Sequence, residues 1–195
     1  APPETMSFSV AVSGLSGTMS LSPDGRFMVF PARDSSGQEF FWVRRLDSLE
    51  ARPLPGTERA DRPFWSPDSR FLGFFADGKL KKVEVSGGPI QTLADAPSGG
   101  RGAAWNPDGV ILFTPQLRGG LSKVSAAGGA VSVATTLDSS RQETDHRWPQ
   151  FLPDGRHFLY QSSTEQPENN LIYVGSLDSK ETKRLVSTEV RAAYA

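Results

Sequence analysis

The chain contains no cysteine. That excludes disulfides, thiolate metal sites and cysteine nucleophiles, and it is compatible with any compartment. Histidine is nearly absent as well, with only 2 residues, His146 and His157. No apolar run approaches the roughly 18 residues of a membrane-spanning helix. The start, Ala1-Pro2-Pro3-Glu4, has neither the basic nor the apolar region of a secretory leader. It does not begin with Met, so the chain reads as an excised segment. An excess of one charge is missing too: 21 Lys and Arg stand against 22 Asp and Glu, a formal net charge of −1. Nucleic-acid binders carry a basic excess or stripe, and this chain has neither.

Catalytic signatures are equally scarce. There is no His-Glu-x-x-His or comparable metal spacing, no P-loop and no dinucleotide fingerprint. Gly14-Leu-Ser-Gly-Thr18 departs from the Gly-x-Ser-x-Gly nucleophile elbow at its last residue. Gly99-Gly100-Arg101-Gly102 neither follows a parallel strand nor opens a helix, so it reads as a flexible connection rather than a phosphate cradle. No metal and no cofactor is expected, and the chain reads as non-enzymatic.

What the chain has in excess is turn residues, 19 Gly and 15 Pro among 195. Such punctuation favours many short strands over long helices. Much of it recurs. Pro-Asp pairs stand at 23, 67, 107 and 153, spaced by 44, 40 and 46 residues. Each has a bulky apolar residue two positions before the Pro (Leu21, Trp65, Trp105, Phe151) and an apolar run after the turn. In Ser22-Pro23-Asp24-Gly25, every residue suits its place in a type I turn. Asp24, Asp68, Asp108 and Asp154 therefore read as turn residues, and the recurring aromatics as core.

The runs Phe27–Phe30, Phe71–Phe75, Val110–Phe113 and Phe158–Tyr160 are almost continuously apolar, as central strands covered on both faces are. Third strands begin at Phe40, Leu80, Leu121 and Leu171, with Trp42 and Tyr173 at equivalent places. Gly87-Gly88 and Gly128-Gly129 then predict two-residue hairpin turns. Fourth strands fall near Arg52–Leu54, Ile90–Leu93, Val131–Ala134 and Lys183–Val186. A helical repeat has a similar period, but no sustained 3.6-residue stripe appears.

The reading is all-β: a β-propeller of four-stranded antiparallel blades, with four repeats that form part of a larger ring. The expected repeats cover about 14–57, 58–97, 98–138 and 139–189. Residues 6–13 and 190–195 read as strands of incomplete neighbouring blades. Blade edges left open in this way would allow self-association.

The Ser-Pro-Asp-Gly turn followed by Arg-Phe and an apolar strand resembles the WD-repeat-like blade of TolB-type propellers. Leu46–Gly56 and His146–Tyr160 look closest to the propeller regions that follow the kinase domain in many bacterial serine/threonine kinases. That resemblance implies an extracytoplasmic sensor or scaffold that binds a protein or small molecule. The chain has no kinase Gly-rich loop and no Asp-Phe-Gly, and His146-Arg147-Trp148 has Trp where the catalytic loop needs Asp. A propeller cap of a prolyl-oligopeptidase-type peptidase and a TolB-like periplasmic docking protein are the alternatives.

Up-and-down topology puts the connections 32–39, 56–63, 138–149 and 162–170 on one face, the expected binding face. Asp61, Arg62, Arg101, Asp145, His146, Arg147 and Trp148 fall just before first strands, near the channel mouth. They could hold an anionic ligand or a peptide. Equally, Asp61 with Arg62 and Asp145 with Arg147 could simply pair and fix the loops.

Overall fold

A computed structural model describes residues 18–98 and 100–187 of the chain. Four sheets follow one another, each an antiparallel meander of four strands in chain order. Blade 1 holds β1 (Ser20–Leu21), β2 (Phe27–Arg33), β3 (Glu39–Arg45) and β4 (Ala51–Pro53). Blade 2 holds β5 (Asp61–Trp65), β6 (Phe71–Ala76), β7 (Lys79–Glu84) and β8 (Gln91–Asp95). Blade 3 holds β9 (Ala103–Trp105), β10 (Val110–Phe113), β11 (Ser122–Ser125) and β12 (Ser132–Val133). Blade 4 holds β13 (Glu143–Phe151), β14 (His157–Thr164), β15 (Leu171–Ser176) and β16 (Lys183–Ser187). The only helical pieces among the described residues are two 3₁₀ turns, Ser139–Arg141 and Pro167–Asn169. This is a β-propeller architecture. The expected strands at 6–13 and 190–195 lie outside the described residues, as does Gly99.

The repeated turn explains the repeated sequence. In every blade the residue two after the Pro donates its N–H to the carbonyl of the residue before it, at 2.9–3.1 Å for Gly25, Ser69, Gly109 and Gly155. That closing residue is left-handed, with φ 67, 60, 76 and 66°. Glycine meets this need without a Cβ clash, whereas Ser69 meets it at a cost. Oδ1 of Asp24 accepts from Arg26 N–H at 3.0 Å, and Asp68 and Asp154 do the same for Arg70 and Arg156. These carboxylates hold the turn.

Turns of adjacent blades are also tied together. Asp24 N–H donates to Ser69 Oγ at 3.1 Å, linking blades 1 and 2. Asn106 Nδ2 donates to the Gly155 carbonyl at 2.8 Å, linking blades 3 and 4.

Because both faces of a blade's middle strands are covered, the core is divided between blades. One cluster joins Val29, Phe41 and Leu54 of blade 1 to Trp65, Leu72 and Phe74 of blade 2. A second joins Phe75, Leu80 and Leu93 of blade 2 to Ile111, Phe113 and Val124 of blade 3. A third joins Leu112 and Leu121 of blade 3 to Phe158, Tyr160 and Tyr173 of blade 4. Among the described residues no cluster joins blade 4 to blade 1.

The recurring aromatics carry this packing. Phe27 stacks on Trp65 of the next blade at 6.4 Å, and Phe71 faces Trp105 of the next at 6.2 Å. Leu21 occupies the position of Trp65 and Trp105 but is 54% exposed.

Two local expectations are corrected. The Gly-Gly pairs do have positive φ, 103 and 140° for Gly87-Gly88 and 87 and 112° for Gly128-Gly129. They do not form two-residue hairpins. Gly87 N–H bonds to the Glu84 carbonyl and Gly128 N–H to the Ser125 carbonyl, so the first glycine closes a four-residue turn. Pairing resumes only at Lys82 with Gln91 and Lys123 with Ser132.

The presumed long connection 138–149 is largely strand. Glu143, Asp145, His146 and Arg147 pair with Thr164, Ser163, Ser162 and Gln161. Their polarity hid the strand, because Glu143, Asp145 and His146 are buried in the fold and do not face solvent.

Candidate functional site

The first strands of blades 2, 3 and 4 (β5, β9 and β13) approach one another and mark the inner side of the propeller. A cleft of about 480 Å³ lies along them. Thr18, Arg62, Gly102 and Trp148 all line it. Each stands five residues before the turn proline of its own blade. The repeat therefore delivers one equivalent position from all four blades to a single cavity.

That position is conformationally unusual. Arg62, Gly102 and Trp148 have φ 54, 99 and 55°. The register of β5 shifts between Asp61 and Phe64, and that of β13 between Arg147 and Gln150. Each shift is a bulge on which the left-handed residue is followed by proline, Pro63 or Pro149. A left-handed backbone costs a residue with a Cβ about 1–2 kcal/mol. Bulges next to binding sites re-aim side chains, and here they turn Arg62 and Trp148 into the cleft.

Arg62 is held on several sides. Its guanidinium carbon lies 5.5 Å from the Trp148 ring centroid. Its Nε is 3.3 Å from Asp61 Oδ2, and Nη1 donates to the Gly100 carbonyl. The Trp148 ring in turn covers Gly102, where a Cβ would meet Trp148 Cε3 at 2.8 Å and Cα at 3.2 Å. Pro63, Phe64 and Pro149 complete an apolar wall, with Asp61 and Gln150 at its polar margin. An apolar floor with a few oriented polar groups is the usual composition of a ligand site.

Beside this cleft, Arg101, Asp145 and Arg147 form a second group. Asp145 is buried, with its side chain 6% exposed. Its Oδ1 lies 2.9 Å from Arg147 Nε and 3.8 Å from Arg101 Nη1. Yet Oδ1 accepts no hydrogen bond among the described residues, because the Arg147 Nε–H points to Ser163 Oγ at 2.6 Å. The contact with Asp145 is electrostatic and not a fork of directed bonds. Oδ2 accepts from Thr144 Oγ1 at 3.1 Å.

His146 is not at the mouth. It is 1% exposed, between blades 3 and 4. Nδ1 is 2.7 Å from Thr135 Oγ1 and Nε2 is 3.0 Å from Glu143 Oε2, and the ring lies 4.7 Å from Tyr160. Both nitrogens are engaged, so His146 ties the blades together and presents nothing to a ligand. The other histidine, His157, opens strand β14, and its ring is bonded back to Asp154 of the preceding turn at 2.5 Å.

Of the seven expected residues, then, Asp61, Arg62 and Trp148 line the cleft, Arg101, Asp145 and Arg147 group beside it, and His146 is interior. Thr18, Pro63, Phe64, Gly102, Ala103, Pro149 and Gln150 were missed. The signal that reaches Thr18 is the offset of five residues from the turn proline. Among the described residues, no cluster of three His, Cys, Asp or Glu could hold a metal ion, and no helix is long and apolar enough to cross a membrane.

Fold and cleft together define a propeller with a ligand-sized hollow on its inner strands. No family profile matches the chain. Over 73 residues it is 38% identical to an uncharacterized peptidase, YuxL, of Bacillus subtilis, covering 34% of this chain and 11% of the peptidase. Among solved structures, a putative TolB from Agrobacterium tumefaciens superposes with a TM-score of 0.70 at 15% identity, over 87% of this chain and 64% of TolB. A prolyl endopeptidase superposes with a TM-score of 0.61 at 12% identity, over 88% of this chain and 29% of the enzyme. The chain thus spans a small part of the peptidases and somewhat less than two thirds of the TolB structure.

Proposed function

We propose that the chain is a non-catalytic binding module whose ligand, a protein segment or a small molecule, seats in the inner-strand cleft. The observation that carries this reading is the convergence of Thr18, Arg62, Gly102 and Trp148 from four blades on one cavity. Two of the four are kept in a costly left-handed conformation. Backbone strain retained at one place in a fold is a pointer to function.

The sequence resemblance supports a sensor or scaffold role beside a bacterial serine/threonine kinase, on the extracytoplasmic side. A second reading is a propeller cap of a serine peptidase, in which the propeller binds and admits substrate and supplies no nucleophile. The 38% identity to a peptidase favours it. Flanking domains of the parent gene separate the two: a kinase upstream supports the first, a hydrolase downstream the second. Exposed Leu185 and Val186 on the outer strand β16 favour self-association as well. Light scattering tests that, and a concentration-independent monomer rejects it.

The binding reading is tested by screening the full chain against peptide and fragment libraries by NMR. Arg62→Ala and Trp148→Ala are expected to weaken a cleft ligand about tenfold, on the scale of one lost cation–π or aromatic contact. Melting temperature should fall by only about 2–4 °C, the scale of 1 kcal/mol in a chain of this size. Unchanged affinity in both variants overturns the site.

A further inference from the structure

We infer that Arg101 and Arg147 form an oxyanion clamp around the Asp145 carboxylate, with a carboxylate or phosphate as its ligand. The inference rests on the inner-strand side being the binding side, and it assigns the charged group beside the cleft a separate task.

The charge count comes first. Two guanidiniums share one carboxylate, so the group carries an excess of one positive charge. All three groups are largely withdrawn from water: the side chains of Arg101, Arg147 and Asp145 are 29, 22 and 6% exposed. Burial pulls the Arg147 pKa below the ordinary arginine range. Asp145 works against that, and Arg101 adds to it. Two like charges that feel each other and have only one counterion favour a second anion.

Geometry supplies the donors. Around a buried carboxylate, arginines ordinarily form bidentate forks. Here neither does. The only side-chain hydrogen bond of Arg147 among the described residues is Nε–H to Ser163 Oγ, and the Arg101 side chain makes none. Among the described residues nothing accepts a hydrogen bond from their Nη groups, which suits an acceptor with two oxygens. Asp145 sets the spacing of the pair, and its backbone is fixed by the bridge to Gly119. Arg101 and Arg147 directly precede Gly102 and Trp148 of the cleft. A ligand with an apolar body and an anionic group could occupy both places.

The test titrates the full chain, ¹⁵N-labelled at arginine, with sodium phosphate and separately with sodium acetate, against chloride at matched ionic strength. A saturable shift of the Arg147 Nε–H signal is expected, and the tighter of the two arms identifies the oxyanion. Arg101→Gln should weaken binding about tenfold. Asp145→Asn removes the built-in counterion and should tighten binding several-fold, the opposite sign from a merely structural carboxylate. If Asp145→Asn does not fold, Arg101→Gln decides alone, since among the described residues that side chain makes no other ion pair and no hydrogen bond.

Responses to phosphate and acetate no larger than to chloride overturn the clamp. Binding of either oxyanion that Arg101→Gln leaves unchanged overturns it as well. Loss of cleft affinity in Trp148→Ala without an oxyanion response leaves the cleft standing and removes only the clamp. An oxyanion response without any cleft ligand does the reverse.

Discussion

The Arg62 guanidinium lies 5.5 Å over the ring of Trp148, and the two residues hold the same position in blades 2 and 4. Neither blade alone could build the pair. Gly102, at that position in blade 3, leaves room for the indole between them, so one arginine, one glycine and one tryptophan use the repeat to make an asymmetric cleft.

The backbone at Trp148 gives the first prediction. With φ 55°, Trp148→Gly relieves about 1 kcal/mol of left-handed strain while losing the ring's contacts with Arg62 and Gly102. Trp148→Val keeps the strain and adds a β-branch that the left-handed region tolerates poorly. Both variants lose the ring, so urea denaturation should find the valine variant about 1–2 kcal/mol less stable than the glycine variant. Equal losses in the two would show that backbone strain at this bulge is negligible.

Ser69 offers a cleaner separation of strain from bonding. It is the one non-glycine at the closing position of the repeated turn, and its Oγ accepts the Asp24 N–H across the blade boundary. Ser69→Ala loses the bond and keeps the strain, and should cost about 1 kcal/mol. Ser69→Gly loses the same bond and regains about 1 kcal/mol from the backbone, so its midpoint in denaturant should stay near wild type.

These turns were legible because proline, aspartate and glycine obey strong local rules, and a motif seen four times fixed the blades. The inner strands were harder. Glu143 to Arg147 are polar and read as loop, yet they form the ladder of β13 with Gln161 to Thr164, on partners distant in sequence. His146 looked like a mouth residue only because its neighbours are. Its burial depends on Thr135 and Tyr160, which nothing local announces. The left-handed states of Arg62 and Trp148 run against the extended preference of a residue before proline. They coincide with the bulges of β5 and β13, which no local sequence signal announces.

Gly120 tests how tightly blade 3 is closed. A Cβ there would stand 1.9 Å from the Thr135 carbonyl oxygen, a backbone atom that cannot turn aside. Thr135 is itself committed, its Oγ1 accepting from Leu121 N–H at 2.8 Å and contacting His146. Gly120→Ala should therefore destabilise by about 3 kcal/mol, the upper range for overpacking. Gly119→Ala, whose Cβ would meet nothing within 4 Å, faces only its φ of 119° and should cost less. Thermal denaturation of the two variants side by side checks the ranking.

The Thr135–His146–Glu143 link between blades 3 and 4 should make stability depend on acid. Burial by itself would raise the Glu143 pKa. The bonds it accepts from His146 and from the Asp138 N–H outweigh that and lower it from 4.5 to about 2. A carboxylate whose folded pKa is depressed contributes stability above its unfolded value, and the contribution fades as pH falls from about 4.5 toward 2. At about 1.4 kcal/mol per pKa unit, the loss should be of the order of 3 kcal/mol. Asp154 is lowered to about 2 as well, through His157, so wild type alone cannot assign the effect. Glu143→Gln can. It keeps the shape, should be less stable than wild type at neutral pH, and should lose less stability between pH 4.5 and 2. Denaturant midpoints across that window check it, and parallel curves for the two proteins would place the acid sensitivity at Asp154 and the other carboxylates instead.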